Sequence, residues 1–166
     1  FSSSGGAVYG DPEKVPCSEE APIQPLCPYG TSKRSFELYL TALSKLNDLD
    51  YIILRYSNVY GPRQDPKGEA GVVSIFINQL LNNKIPLING DGKQTRDFFY
   101  LKLLGQANLA ALEKKPKSHI FNIGTGYQSS ILEIYQQIKK ILKSRIKAKH
   151  QQAISGEVRH TYLDIS

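Results

Sequence analysis

Tyr29 stands four residues before Lys33 in the segment PYGTSK, and three consecutive serines, Ser2, Ser3 and Ser4, lie upstream in FSSSGGAVYG. Together these side chains could carry out a proton transfer. A phenol titrates near ~10 and is a weak base at neutral pH. A nearby ammonium favours the phenolate, and a serine hydroxyl can hold a substrate oxygen and pass the proton on. A spacing of four places Tyr29 and Lys33 on one helix face, one turn apart. Pro28 suits the first turn of that helix, where side chains can face an adjoining cleft.

The spacing by itself is a weak signal. With ten tyrosines in a lysine-rich chain, about one Tyr-x-x-x-Lys match is expected by counting. A second pair, Tyr135 and Lys139, lies inside an apolar-faced helical segment and runs into a basic stretch, so it reads as structural. What separates Tyr29 and Lys33 is context: the proline before them and the serine run upstream.

The surrounding pattern alternates between strand and helix. Residues 1–4 read as the end of a buried strand, and 5–28 as a loop rich in glycine and proline. A helix is expected from Tyr29 to about Asn47, with Phe36, Leu40, Leu43 and Leu46 as its apolar face. YIILRY (51–56) reads as a buried strand, and 61–71 as a loop dense in turn formers. Val72, Val73, Phe76, Leu80 and Leu81 mark a second helix over 72–83. IPLING and RDFFYL suggest two short strands around a turn. A third helix spans 103–114 and stops before Pro116, and HIFNIGTG (119–126) is a strand ending in a glycine turn. A fourth helix spans 130–143, with Ile131, Ile134, Ile138, Ile141 and Leu142 on one side. This alternation predicts an α/β fold with a largely parallel sheet.

Composition narrows the function classes. The chain has 166 residues, 40% apolar and 22% charged, a globular balance. No apolar run reaches the roughly 20 residues of a membrane span, and the N-terminus lacks a secretion signal. Cys17 and Cys27 match no zinc or redox spacing, and His119, His150 and His160 are scattered, so no metal site is expected. These features predict a cytoplasmic protein. Much of the net charge of +6 sits in KKILKSRIKAKH (139–150), which reads as a solvated helix face and tail. It lacks the interleaved aromatics of a nucleic-acid groove, so neither nucleic acid nor membrane is an expected partner. Basic residues can also draw in an anionic small substrate. The chain contains no methionine and begins with Phe1, which suggests a piece of a longer polypeptide. No GxGxxG phosphate loop occurs, so the adenine half of any dinucleotide is expected to bind outside these residues.

Seven segments, in order, carry a resemblance: FSSSGGAVYG, PYGTSK, LRYSNVYGPRQDP, GEAGVVSIF, NGDGKQTRDF, FNIGTG and GEVRHTYLDIS. The chain resembles the extended short-chain dehydrogenase/reductase family, in its NAD-dependent epimerase/dehydratase group and the UDP-glucose 4-epimerase branch. The resemblance implies the C-terminal part of a Rossmann-type parallel sheet plus a smaller α/β substrate-binding domain. Residues 1–60 would close the nucleotide-binding domain and 61–166 would mainly form the substrate domain, with 97–126 packing back on the sheet. Relatives are about twice as long, so the glycine-rich NAD loop would lie upstream and the last helices downstream. Alone, the segment is expected to be inactive and poorly soluble.

The same resemblance implies roles. Tyr29 would be the catalytic base. Lys33 would hold the nicotinamide ribose and favour the phenolate. Ser4, or Ser3 if the Gly5–Gly6 insertion shifts the register, would bridge substrate and tyrosine. Tyr56 and Val59 would line the nicotinamide end of NAD, and Asn58 would bond a substrate phosphate. Val73 and Phe76 would lie near the uridine, and Arg96 and Arg159 would clamp the diphosphate of a nucleotide sugar. Asp97 reads as structural. A homodimer would form through the helix that begins near Tyr29. Related 4,6-dehydratases carry an acidic pair where this chain has Gly5 and Gly6, and related decarboxylases a glutamate, so epimerisation is favoured over both. A non-catalytic relic, or a subunit that borrows its cofactor half, is the alternative. One departure is Leu103, which replaces an expected helix-starting aspartate at a capping cost of about 1 kcal/mol.

Overall fold

A strand built only of serines gains little from apolar burial, so its neighbours must hold it. The computed structural model describes residues 1–67, 71–114, 119–154 and 157–166. The expected loop residues 68–70 and the helix-stopping Pro116 lie outside them. The first elements are β1 (Ser2–Ser4), α1 (Gly5–Val8), α2 (Pro28–Asn47), β2 (Ile53–Tyr56) and β3 (Asn58–Tyr60). Then come α3 (Val72–Leu81), β4 (Leu87–Asn89), β5 (Thr95–Arg96), β6 (Phe98–Tyr100) and α4 (Leu101–Glu113). The last are β7 (Ile120–Ile123), β8 (Ser129–Ser130), α5 (Ile131–Ile141) and β9 (Lys149–Gln151).

A parallel sheet of order β1-β2-β7 is the frame. Its register aligns Ser3, Arg55 and Asn122 in one row across the three strands. Alternation along a strand puts that row on one face, while Ser4, Tyr56 and Ile123 form the next row on the other. The buried row is polar and fully bonded. Arg55 donates through Nε and Nη2 to the Glu37 carboxylate of α2, at 3.0 and 2.8 Å. Its Nη1 donates to the Tyr9 hydroxyl at 3.0 Å and to the Glu19 carbonyl at 3.1 Å. Tyr9 in turn donates to Asn122 at 2.7 Å.

This arrangement changes the expected face of α2. Phe36, Leu43 and Leu46 are 50%, 47% and 80% exposed, whereas Gly30 and Glu37 are buried. The side of the helix turned to the sheet is its polar stripe, because Ser3 and Arg55 satisfy it there. Gly30 is needed at the closest approach: a Cβ would come within 2.5 Å of the Ala7 carbonyl oxygen. Pro28 opens the helix, and the Cys27 sulfur accepts from the Gly30 N–H.

The 5–28 segment is more structured than a loop. It begins with α1, and Cys17 is fully buried beside Val8, Tyr9 and Leu163. Cys17 bonds both ways to the C-terminal segment, with its N–H on the Tyr162 carbonyl and its carbonyl accepting from Asp164. The strands within IPLING and RDFFYL exist but do not pair with each other. β4 pairs with β9, β6 with β3, both in parallel, and β5 pairs antiparallel with β8. α4 forms without an acidic residue in its first turn or a side-chain cap, so Leu103 does not prevent the helix.

A second apolar cluster joins α3 to α5 through Phe76, Leu80, Ile88, Ile131, Tyr135 and Ile138. A capping box of Ser130 and Glu133 starts α5. The Tyr135 hydroxyl donates to the Ile146 carbonyl and accepts from the Ala148 N–H, which makes it a core residue. Phe76, expected near a uridine, does not border the cleft described below. It is 1% exposed in this cluster, edge-on to Tyr135, because its apolar ring faces α5.

Two stability predictions follow from this packing. Phe76→Ala should lower the unfolding free energy in urea by about 3–5 kcal/mol. Burial pushes the Glu37 carboxyl up, but bonds from Arg55 and Ser3 outweigh it and hold it below its ordinary range. Its contribution is therefore present above the unfolded value near ~4.3 and fades as pH falls through the lower folded value. Glu37→Gln should cost roughly 3 kcal/mol or more at pH 7, and the gap to wild type in urea titrations should narrow in acid.

Candidate active site

The end of β1 and the start of α2 meet at a cleft of about 500 Å³. Ser4, Tyr29, Tyr56, Asn58, Val59, Val73 and Arg96 all border it. Strand alternation separates the serines. Ser3 also reaches the cleft wall, but it is 3% exposed and its hydroxyl donates to Glu37. Ser4, on the other face, is turned the same way as Tyr56.

Tyr29 sits in the first turn of α2, 48% exposed. One turn on, the Lys33 ammonium donates to the Ser2 carbonyl at 2.9 Å and lies 5.6 Å from the centre of the Tyr29 ring. Lys33 is thus fixed to β1 next to the phenol. Tyr56, 8% exposed, donates to Asn108 of α4 at 3.0 Å, which holds its ring as cleft wall.

The two arginines part company. Arg96 borders the cleft, donates to the Thr95 carbonyl and pairs with Glu157 at 3.3 Å. Burial pushes its guanidinium below the ordinary value, and Glu157 partly opposes this. Arg159 lies outside the cleft and is bound at both nitrogens to the Asp91 carboxylate, at 2.9 and 2.7 Å. The expected two-arginine clamp is therefore not assembled, because the turn before β5 offers Arg159 a carboxylate of its own. That contact holds the Asp91 carboxyl well below the usual range.

Asp97 is structural. Buried at 1%, it accepts from the Thr125 N–H and hydroxyl and from the Gly126 N–H. The GTG turn is thereby tied to the start of β6. Gly124 permits the approach, since a Cβ would stand 2.4 Å from an Asp97 carboxylate oxygen.

Among the cleft residues that sequence reasoning passed over, two are polar and placed to act on a ligand. Glu157 supplies the acid beside Arg96, and only its place two residues before Arg159 hinted at it. Ser57, between Tyr56 and Asn58, is 8% exposed with a hydroxyl that has no protein partner. A buried polar atom without a partner is costly, so this hydroxyl suits a ligand group with hydrogen-bonding capacity, such as a carboxamide. Among the described residues no cluster of His, Cys, Asp or Glu could hold a metal ion, and no helix is long and apolar enough to cross a membrane.

A serine, a helix-borne tyrosine and an arginine border one cleft, with Lys33 outside its lining but beside the tyrosine ring, and these are the parts needed for proton transfer on an anionic substrate. The model of the NAD dependent epimerase/dehydratase family matches residues 1–124, and the chain belongs to that family, whose cofactor is NAD. A protein of Methanocaldococcus jannaschii is 52% identical over 99% of this chain and 53% of its own. The solved UDP-glucose 4-epimerase of Thermotoga maritima, with UDP-glucose, superposes with a TM-score of 0.96 at 42% identity, covering 100% of this chain and 54% of that one. A bovine dTDP-D-glucose 4,6-dehydratase is 35% identical over 82% of this chain and 38% of its own. The chain thus spans about half the length of the relatives it matches most fully, and the family includes more than one reaction.

Ser57→Ala should leave stability unchanged to within about 0.5 kcal/mol or raise it slightly, since it removes an unpartnered hydroxyl. Thermal unfolding of the two forms side by side checks this.

Proposed function

We propose that the polypeptide carrying this chain is an NAD-dependent nucleotide-sugar 4-epimerase acting on a UDP-hexose, either the glucose/galactose or the N-acetylhexosamine pair. The observation that carries the reading is the gathering of Ser4, Tyr29 and Arg96 around one cleft, with glycines rather than acids at positions 5 and 6 beside it. At Gly5 a Cβ would stand 2.7 Å from a Leu163 methyl and 3.3 Å from the Arg55 carbonyl oxygen. A Cβ at Gly6 would meet only the Asn58 side chain, at 3.4 Å, so what disfavours an elimination there is the absence of a carboxyl group on these two glycines.

In the proposed reaction the Tyr29 phenolate takes the proton of the sugar 4-hydroxyl while Ser4 holds that oxygen. Lys33, anchored on Ser2, keeps a positive charge beside the phenolate. Lys33, Tyr29, Tyr56, Ser57 and Val59 are the residues here that would hold NAD, which when bound would supply a reversible hydride acceptor for C4. The keto sugar must turn over between the two transfers. That requires a firm hold on the diphosphate and a loose one on the hexose. Arg96 suits the first task because its fork binds phosphate oxygens directionally, with Glu157 giving way and Asn58 bonding a phosphate. Val73 would lie toward the uridine.

The apolar cluster of α3 and α5 supports a second domain built on those helices, with Leu163 returning to pack on the first. The exposed apolar side of α2 supports a homodimer of the whole protein.

Turnover of UDP-hexose by the NAD-loaded polypeptide that contains this chain tests the reading. Tyr29→Phe should reduce kcat by about 10²-fold or more with little change in UDP-hexose binding. Arg96→Ala should instead weaken binding by roughly tenfold or more, as loss of a charged hydrogen bond does. Wild-type turnover in Tyr29→Phe would overturn the assignment.

A further inference from the structure

The proposed mechanism leaves one buried charged group unused. Glu37 is 1% exposed, lies four residues beyond Lys33 and eight beyond Tyr29, and so continues their stripe along α2. Its carboxylate accepts from Ser3, from two nitrogens of Arg55 and from Arg34. The three serines of β1 thus meet α2 in three ways. The Ser2 carbonyl takes Lys33, the Ser3 hydroxyl gives to Glu37, and Ser4 shares the cleft with Tyr29.

We propose that Glu37 is a positioning residue, which through Ser3 fixes the rotation and register of α2 on β1 and thereby sets Tyr29 and Lys33 against Ser4. This rests on the reading of Ser4, Tyr29 and Lys33 given above. Apolar packing alone cannot set the register, since serines offer no large side chains to interlock, Leu38, Tyr39, Leu43 and Leu46 lie exposed, and the ring of Phe36 stacks on the partly exposed Phe1 ahead of β1. Directional bonds must do it instead. A one-residue slip or a small rotation of α2 would break the Ser3 bond and strand a buried carboxylate. Buried ionic groups are best attested as devices that select one register over others. Arg55 keeps the carboxylate charged and, through Tyr9 and Glu19, keys the same helix to the 9–19 segment. Ser3 touches the cleft wall, but its hydroxyl is turned away from the cleft to Glu37, and Glu37 itself lies outside the cleft.

Ser3→Ala, which removes a single hydroxyl, tests this in the NAD-loaded polypeptide that contains the chain. A fall in kcat of about tenfold or more is expected, with the UDP-hexose KM within about twofold, an unfolding temperature close to wild type and faster amide hydrogen exchange across residues 29–37. Glu37→Met with Arg55→Met removes both charges together, a swap that buried pairs often tolerate without loss of stability. It should keep the fold and still show the same kcat loss and faster exchange. Wild-type kcat and exchange in both variants would overturn the proposal. Tyr29→Phe run alongside separates the two readings. If Tyr29→Phe retains turnover, the catalytic reading fails and exchange over 29–37 alone decides whether Ser3 and Glu37 hold the helix. If Tyr29→Phe abolishes turnover and both other variants match wild type, only the positioning role fails.

Discussion

Glu37 and Arg55 are each 1% exposed, and most of the structure is arranged so that this pair can stay charged out of water. Removing two ions from water costs several kcal/mol each even after relaxation, so every donor and acceptor on them needs a partner. Those partners come from α2, β1, the 9–19 segment and, through Tyr9 and Asn122, from β7. Asn122 also donates to the carbonyls of Cys17 and Asp164. A contiguous set of hydrogen bonds therefore runs from the helix that bears Tyr29 to the C-terminal segment. An apolar row at the same place could be as stable, but it would not single out one placement of the helix.

The opposite face of the sheet borders the cleft. Ser4 and Tyr56 are neighbours in register, one residue along from the buried row on each strand. From there β3 turns out beside the cleft and pairs with β6, while Asp97 draws the GTG turn back under it. Leu163, fully packed against α1, leaves Gly5 no space for a side chain. The end of β1 is thus shaped by residues remote in the chain, and that shape bears on which reaction the cleft can run.

Local chemistry was legible from the sequence. Proline ahead of Tyr29, the four-residue spacing to Lys33 and the apolar run of β2 each depend on near neighbours, and the structure builds the expected helix and strand from them. Partner choice was not legible. Periodicity gave α2 an apolar face but could not show that a buried arginine 18 residues beyond Glu37 would draw the polar stripe inward. Phe76 belongs to a helix face that could have met either the cleft or α5, and α5 took it. Arg159 matched a family pattern, yet Asp91, 68 residues away in the chain, holds it aside. Ser57 and Glu157 lie beside residues that had been singled out, but only burial and pairing reveal what they meet.

The most direct measurement is the fate of a label at the reacting carbon. UDP-glucose carrying deuterium at C4 would be turned over in ordinary water by the NAD-loaded polypeptide that contains this chain, and the product read by NMR. Epimerisation by hydride removal and return predicts UDP-galactose with deuterium still at C4. A 4-keto-6-deoxy product with the label at C6 would identify a dehydratase, and loss of the label to solvent would identify proton abstraction at carbon. Either result would contradict the epimerase reading.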